Sequence, residues 1–285
     1  MDLDAIRTLK LDPRTESYST RDTIFYALCL GYGEDPVDPG QLRFVYEDGL
    51  KPAPTYAVLL ADPGFWHQRP EMGIDWRKIV HAEQSLEIHS PLRAEGTLRG
   101  EVTVPAVVDK GAKAGAILYQ EKRLYDANDG RHVATALSTV FMRGNGGEGG
   151  FGEPWPAPEP LPAIAPTQSY ELRTLPQAAL FYRLNGDYNP LHVDPAAARH
   201  AGFDRPILHG LCTYGLAARA LIDSFCGGDP DRLRLISTRF SQPVFPGETL
   251  RFDFYSDGDA VRFRATAVER DALVLDWGKA AFIKG

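Results

Sequence analysis

Leu184-Asn185-Gly186-Asp187-Tyr188-Asn189-Pro190-Leu191-His192-Val193-Asp194-Pro195, followed by Pro206-Ile207-Leu208-His209-Gly210, is the stretch around which the rest of the 285-residue chain is organised. Upstream, Leu175 to Leu184 reads as a short amphipathic helix with Pro176 near its first turn, where the missing N–H does no harm, and Gly186 stops it. Asp187, Asn189 and Pro190 are turn residues, so Asp187 and His192 share one compact non-helical segment. Two side chains able to exchange protons are therefore expected close together. The second run opens an apolar helix, Gly210 to Asp223, poor in charge until Arg219 and expected to be buried. A helix N-terminus carries unpaired N–H groups, and Gly210 has no Cβ to keep an oxyanion away. A carboxylate, an imidazole and an exposed N–H together make an acid/base pair with an oxyanion hole. Taken singly, each has a plain structural reading: Gly-Asp-x-Asn-Pro is sound turn chemistry, His209 is a helix cap, and His192 is a half-buried histidine.

Composition narrows the classes. With 44% hydrophobic residues the chain can bury a large core, as one large domain or two ordinary ones. A net charge of -7 without a cluster of Lys and Arg argues against a nucleic-acid partner. Cys29, Cys212 and Cys226 have neither metal-ligand nor paired spacing, and fit reduced thiols. No apolar run is long enough for a membrane span, the start Met1-Asp2-Leu3-Asp4 has no signal-peptide core, and the end Phe282-Ile283-Lys284-Gly285 lacks a Ser-Lys-Leu address. The expectation is a cytoplasmic protein.

In chain order, Thr23 to Gly31 reads as a short helix with an Asp22 cap and a terminal glycine. Leu42 to Tyr46 looks strand-like, and Tyr56 to Ala61 is a second apolar piece. The period then changes to two in Ser85–His89, Thr97–Val104, Ala114–Tyr125 and His132–Met142, four strands in meander order, the last two joined by the turn Asp126-Ala127-Asn128-Asp129-Gly130. After a Gly/Pro-rich linker, 144–166, the pattern restarts. Ser17-Tyr18 matches Ser169-Tyr170, Ala27-Leu28 matches Ala179-Leu180, and Pro91 with Thr97-Leu98-Arg99 matches Pro243 with Thr249-Leu250-Arg251, all at one offset, 170 - 18 = 152. A shared offset in separated segments points to tandem duplication. Further strands are expected at Arg234–Phe240, Thr249–Ser256, Ala260–Glu269 and Ala272–Phe282. The first copy has Leu28 to Pro36 where the second has the Asp/His run, and no counterpart of His192, so one active site per chain is expected.

Tyr182 to Ala198 together with Pro206 to Gly210 resemble the signature of the hydratase 2 family, the MaoC-like (R)-specific enoyl-CoA hydratases. The resemblance implies an α+β double hotdog, two tandem hotdog repeats each with an antiparallel sheet wrapped round a central helix. Residues 1–143 would form a degenerate N-terminal repeat that shapes the acyl pocket, and 167–285 the repeat carrying the catalytic motif. The implied reaction is hydration of a trans-2-enoyl-CoA to a (3R)-3-hydroxyacyl-CoA. Asp187 and His192 would bracket one water, Asn189 would orient that water or Asp187, and the Gly210 N–H would bind the thioester oxygen. Which of Asp187 and His192 is formally the base stays open, because such a pair titrates together.

The implied substrate contacts extend to Tyr188, Pro190 and Leu191 in the loop and to His81, Ala82, Lys110 and Phe240 elsewhere; the family usually has Gly where this chain has Ala82. From pattern alone Lys110 is a solvated turn lysine and Phe240 a core aromatic. The resemblance implies no metal, no cofactor beyond the coenzyme A of the substrate, no membrane partner, and a homodimer. Rival readings are a hotdog acyl-CoA thioesterase, a dehydratase of carrier-bound 3-hydroxyacyl groups, and a non-catalytic acyl-CoA-binding protein. Asp187 and His192 in one loop favour hydration over thioester hydrolysis and over mere binding, and a carrier-bound substrate would call for a larger basic entrance patch, which the sequence does not show.

Overall fold

A computed structural model describes residues 1–257 and 260–283, so the expected chain end at Lys284 and Gly285 lies outside the described residues. Ten strands form a single antiparallel sheet: β1 (Arg14–Tyr18), β2 (Ile79–Ile88), β3 (Gly96–Asp109), β4 (Ala116–Asp126), β5 (His132–Met142), β6 (Gln168–Arg173), β7 (Leu233–Phe240), β8 (Thr249–Asp257), β9 (Ala260–Ala267) and β10 (Ala272–Phe282). Their spatial order is β1-β3-β4-β5-β2-β7-β10-β9-β8-β6. Read inward from either edge, it is the same five-strand pattern, which is what a duplicated double hotdog requires. The halves meet where β2 pairs with β7, from Glu83 opposite Arg239 to Glu87 opposite Leu235.

Among the described residues six α-helices accompany the sheet: α1 (Leu3–Arg7), α2 (Thr20–Cys29), α3 (Pro39–Leu42), α4 (Ala178–Tyr182), α5 (Pro195–His200) and α6 (Gly210–Phe225). Among the described residues no helix is long and apolar enough to cross a membrane. Every residue of α6 from Cys212 to Ile222 is buried, as the apolar run demands. Arg219 lies in this interior because its guanidinium has partners there: it donates to the Leu30 carbonyl at 2.9 Å and sits over the Tyr32 ring.

The first half is not a copy of the second at its centre. A short 3-10 stretch, Pro54–Val58, all five residues buried, packs against α6, β2 and β5. Lys122 closes this stretch from inside the core. Its Nζ donates to the carbonyls of Val58 at 2.7 Å and Leu60 at 2.8 Å, and burial pulls its ammonium below the usual lysine range.

Two local readings change. Leu42 to Tyr46 is not a strand: Asp38 caps the Gly40 N–H, Pro39 starts α3, and the turn carries Phe44 inside to stack on Tyr32 at 4.0 Å. The helix expected from Asp22 starts at Thr20, because Ser19 is the N-cap and Asp22 returns a bond to it in a capping box. The linker runs from β3 past β4 to β9, with Phe151 bridged to Val107, Trp155 edge-on to Tyr119, and Glu159 paired with Arg262 of β9.

Replacing Lys122 with Met keeps the volume but leaves two buried carbonyls without their donor. Stability should fall by about 1–3 kcal/mol, read as a lower denaturant midpoint at unchanged slope; an unchanged midpoint would show that the ammonium is dispensable there.

Candidate active site

The expected run folds as a series of side-chain-capped turns. After α4, a 3-10 turn over Arg183–Asn185 ends at Gly186, whose φ of +116° is the left-handed conformation that favours glycine. Asp187 Oδ1 then accepts the Asn189 N–H at 3.1 Å, and Asn189 Oδ1 accepts the Leu191 N–H at 3.0 Å, which starts a single turn over Pro190–His192. Asp194 caps α5 in the same way. This winding brings His192 Nε2 to 3.9 Å from Asp187 Oδ2. The Asp187 side chain is about half exposed (51%), whereas that of His192 is nearly covered (10%).

The second run fixes the imidazole. His192 Nδ1 lies 2.9 Å from the carbonyl oxygen of Ile207, which can only accept, so Nδ1 carries the hydrogen. In the neutral ring, Nε2 then presents a lone pair towards Asp187. Burial holds the His192 pKa below the usual histidine range, against the opposing pull of the Ile207 carbonyl and Asp187. Two acceptors joined by one water donating both hydrogens at ordinary lengths lie roughly 4.4 Å apart. The 3.9 Å gap is a little shorter than that, so one water held by both O–H bonds fits once the pair parts slightly.

His209 stands at the N-cap of α6, but its side chain makes no capping bond. Its Nε2 donates to the Asp187 carbonyl at 3.2 Å, and its ring stacks on His192 at 3.7 Å and 25°. Burial, reinforced by the neighbouring His192, lowers its pKa to about 4. It thus packs the Asp187 loop as a neutral ring, a role that its spacing in the sequence did not reveal. Asp187, His192 and His209 offer ligand atoms within 4.8 Å of one another. The two stacked rings, however, direct their nitrogens side by side, and one nitrogen of each is already donated to a carbonyl. That is a poor tetrahedral cage.

Gly210 opens α6 with its backbone exposed and its N–H without an acceptor among the described residues. A Cβ there would come within 3.3 Å of the Phe240 ring. Phe240 in turn meets His81 edge-on at 5.0 Å. His81 donates from Nε2 to the Glu83 carbonyl at 3.1 Å, and burial lowers its pKa to about 4. Ala82 is the extra residue of a bulge, since His81 pairs with Val140 and Glu83 with Thr139.

The remaining expected contacts are distributed around this centre. Tyr188 and Pro190 are exposed on the loop, with Arg183 over the Tyr188 ring at 4.9 Å, and Leu191 is partly buried. Asn189 reaches Asp187 through its backbone, its side-chain oxygen being used to cap Leu191. Lys110 is not brought to the cluster; it is exposed at the tip between β3 and β4, three strands from β2.

Residues 160–277 match the MaoC like domain family, and residues 17–144 match the MFE-2 hydratase 2 N-terminal domain. The chain is 38% identical to an Arabidopsis thaliana protein named enoyl-CoA hydratase 2, peroxisomal, over 95% of this chain and 93% of that one. It is 37% identical to a Mycobacterium tuberculosis protein named 3-hydroxyacyl-thioester dehydratase Y, over 96% of each. A crystal structure of a MaoC-like dehydratase from Phytophthora capsici superposes with a TM-score of 0.88 at 36% identity, covering 100% of both chains.

The buried imidazoles give a test that needs no substrate. In an NMR titration His209 should gain its proton near pH 4, and His192 below the ordinary histidine value of 6.5. Because folding lowers both values, the unfolded chain binds more protons in that window, so stability held above pH 6.5 is lost as pH falls towards 4. Titration of His209 between pH 6 and 7 would contradict the packing described.

Proposed function

The chain belongs to the MaoC-like hydratase 2 family, and on that premise we propose that it adds water to a trans-2-enoyl-CoA to give the (3R)-3-hydroxyacyl-CoA, reversibly. It is an enzyme of the hydro-lyase class. The observation that carries the mechanism is the 3.9 Å approach of His192 Nε2 to Asp187 Oδ2, with Nδ1 already committed to Ile207.

Water is a poor nucleophile towards C3 of an enoyl thioester, and the carbonyl oxygen gains charge as it attacks. A water held between Asp187 and His192 gives up one proton to the pair while its oxygen bonds to C3. The same pair then returns a proton to C2 from the same side, so the enzyme ends unchanged. The charge on the thioester oxygen is met by the Gly210 N–H at the positive end of α6. His209 and the Asn189 backbone hold the Asp187 loop in register. Phe240 and His81 line the approach to Gly210. The acyl chain runs into the first half, where a short 3-10 stretch stands in place of a long helix. Covered His192 keeps its imidazole neutral, and half-exposed Asp187 leaves water a way in.

Asp187→Asn and His192→Ala should each lower kcat for hydration of crotonyl-CoA by about 10²- to 10⁴-fold, with KM changed far less and, for Asp187→Asn, the thermal midpoint close to wild type. Loss of enoyl absorbance, with resolution of the product enantiomer, is the readout. Near-normal rates in either variant, or release of free coenzyme A, would overturn the assignment.

A further inference from the structure

His67 is a buried titratable group that the hydration chemistry leaves unused. It lies in a segment of one-turn 3-10 helices, Trp66–Gln68, Pro70–Met72 and Trp76–Lys78, that covers the open end of the first repeat. Trp66, Met72 and Ile74 pack there on Val107, Leu118, Val140 and Met142, and Trp66 Nε1 donates to Gln120 at 2.8 Å. The His67 ring stacks on Trp66 at 4.0 Å and 21°, with Phe65 at 5.2 Å and Phe65 in turn edge-on to Trp76. His67 is only 7% exposed, and neither ring nitrogen has a hydrogen-bond partner among the described residues. Burial, with the His81 imidazole adding to it, holds its pKa at about 4, so the ring is neutral and offers one N–H and one lone pair.

Phenylalanine would satisfy this aromatic setting without leaving polar atoms buried. A polar ring with both nitrogens unpaired is costly in the empty fold, which points to a partner supplied from outside. The path for that partner begins at the catalytic centre. Gly210 abuts Phe240, and Phe240 meets His81. His81 lies opposite Val140 across β2 and β5, so both point to the sheet face that Trp66 and its neighbours cover. His67 is close enough to His81 for the two imidazoles to act on one another, and it is buried where Asp187 and Tyr188 are exposed.

We propose that His67 is the polar recognition group of the acyl pocket, and that the acyl chain this enzyme prefers carries a neutral hydrogen-bonding oxygen, a hydroxyl or a ketone, at the depth of His67. This rests on the hydratase reading given above. The aromatic surround disfavours a charged acyl terminus, and a neutral imidazole serves an alcohol or a carbonyl equally well. Plain alkyl chains leave both nitrogens unpaired and are selected against for the same reason that a site built to bond a substrate oxygen rejects its deoxy analogue.

The test compares unsubstituted trans-2-decenoyl-CoA with a series of equal length in which a keto or hydroxyl group is walked along the chain. Values of kcat/KM are taken as a ratio within each protein, so a general change in rate does not enter. For the wild type, at least one oxygenated member should be favoured by about ten-fold or more. That ratio should fall to about one in H67F and in H67L, and survive in H67Q, which keeps a donor and an acceptor. An equal ratio in the wild type and both apolar variants, or no favoured member in the series, would overturn the proposal. Turnover of crotonyl-CoA by the wild type separates this from the underlying reading: if even that substrate is not hydrated, both fall together.

Discussion

A hydrogen bond of 2.9 Å joins His192 Nδ1 to the Ile207 carbonyl and ties together segments that the sequence places fifteen residues apart. It fixes the hydrogen on Nδ1 and leaves Nε2 bare. It also draws the end of the turn at Pro190–His192 against the residues that lead into α6, so the imidazole and the helix's first amides share one small volume. Were the ring free to flip, the lone pair would face the carbonyl, an arrangement with no hydrogen between two acceptors. His209 strengthens the same joint, stacking on His192 and holding the Asp187 carbonyl. Carboxylate position, imidazole tautomer and helix N-terminus thus depend on one short contact between two loops.

The two-fold strand pattern frames that contact, which lies in the second half of the chain. The sheet reads alike from both edges, but only the second half keeps a long buried helix whose N-terminus can face a substrate. The first half gives up that helix for a 3-10 stretch closed by Lys122. Where the halves meet, Arg239 donates through Nε and Nη2 to Glu83 and lies 3.7 Å over Trp277, whose φ is +54°. Glu83 ends the bulge that contains Ala82, and Trp277 lies in an irregular part of β10. One guanidinium therefore pins two interruptions of the sheet beside His81 and Phe240, so the residues flanking Gly210 rest on a charged and stacked support.

Much of the site was legible because its residues state their own geometry. Gly186, Asp187, Asn189 and Pro190 dictate tight turns by local chemistry, and the apolar run after Gly210 could only be an interior helix. The meander strands were legible from alternation. What escaped was decided by contacts across the fold. Leu42 to Tyr46 has strand composition, but Asp38 and Pro39 start a helix just before it and Tyr32 offers Phe44 a stacking partner. The first residues of β2, Ile79 to Ala82, show no clean alternation because the bulge at Ala82 interrupts it. His209 looked like a cap because capping is local, whereas its stacking depends on where His192 arrives. His67 carried no signal at all: a histidine in a loop rich in Pro and Gly is unremarkable until the rings of Trp66 and Phe65 pack against it.

If the Asp187–His192 pair both takes a proton from the bound water and returns one to C2, one face of the alkene receives both the oxygen and the proton. The most direct measurement is hydration of crotonyl-CoA in D₂O, followed by the relative configuration of deuterium at C2 and hydroxyl at C3. A single diastereomer is expected, with deuterium and hydroxyl added to the same face. Addition to opposite faces, or deuterium scattered over both, would contradict it.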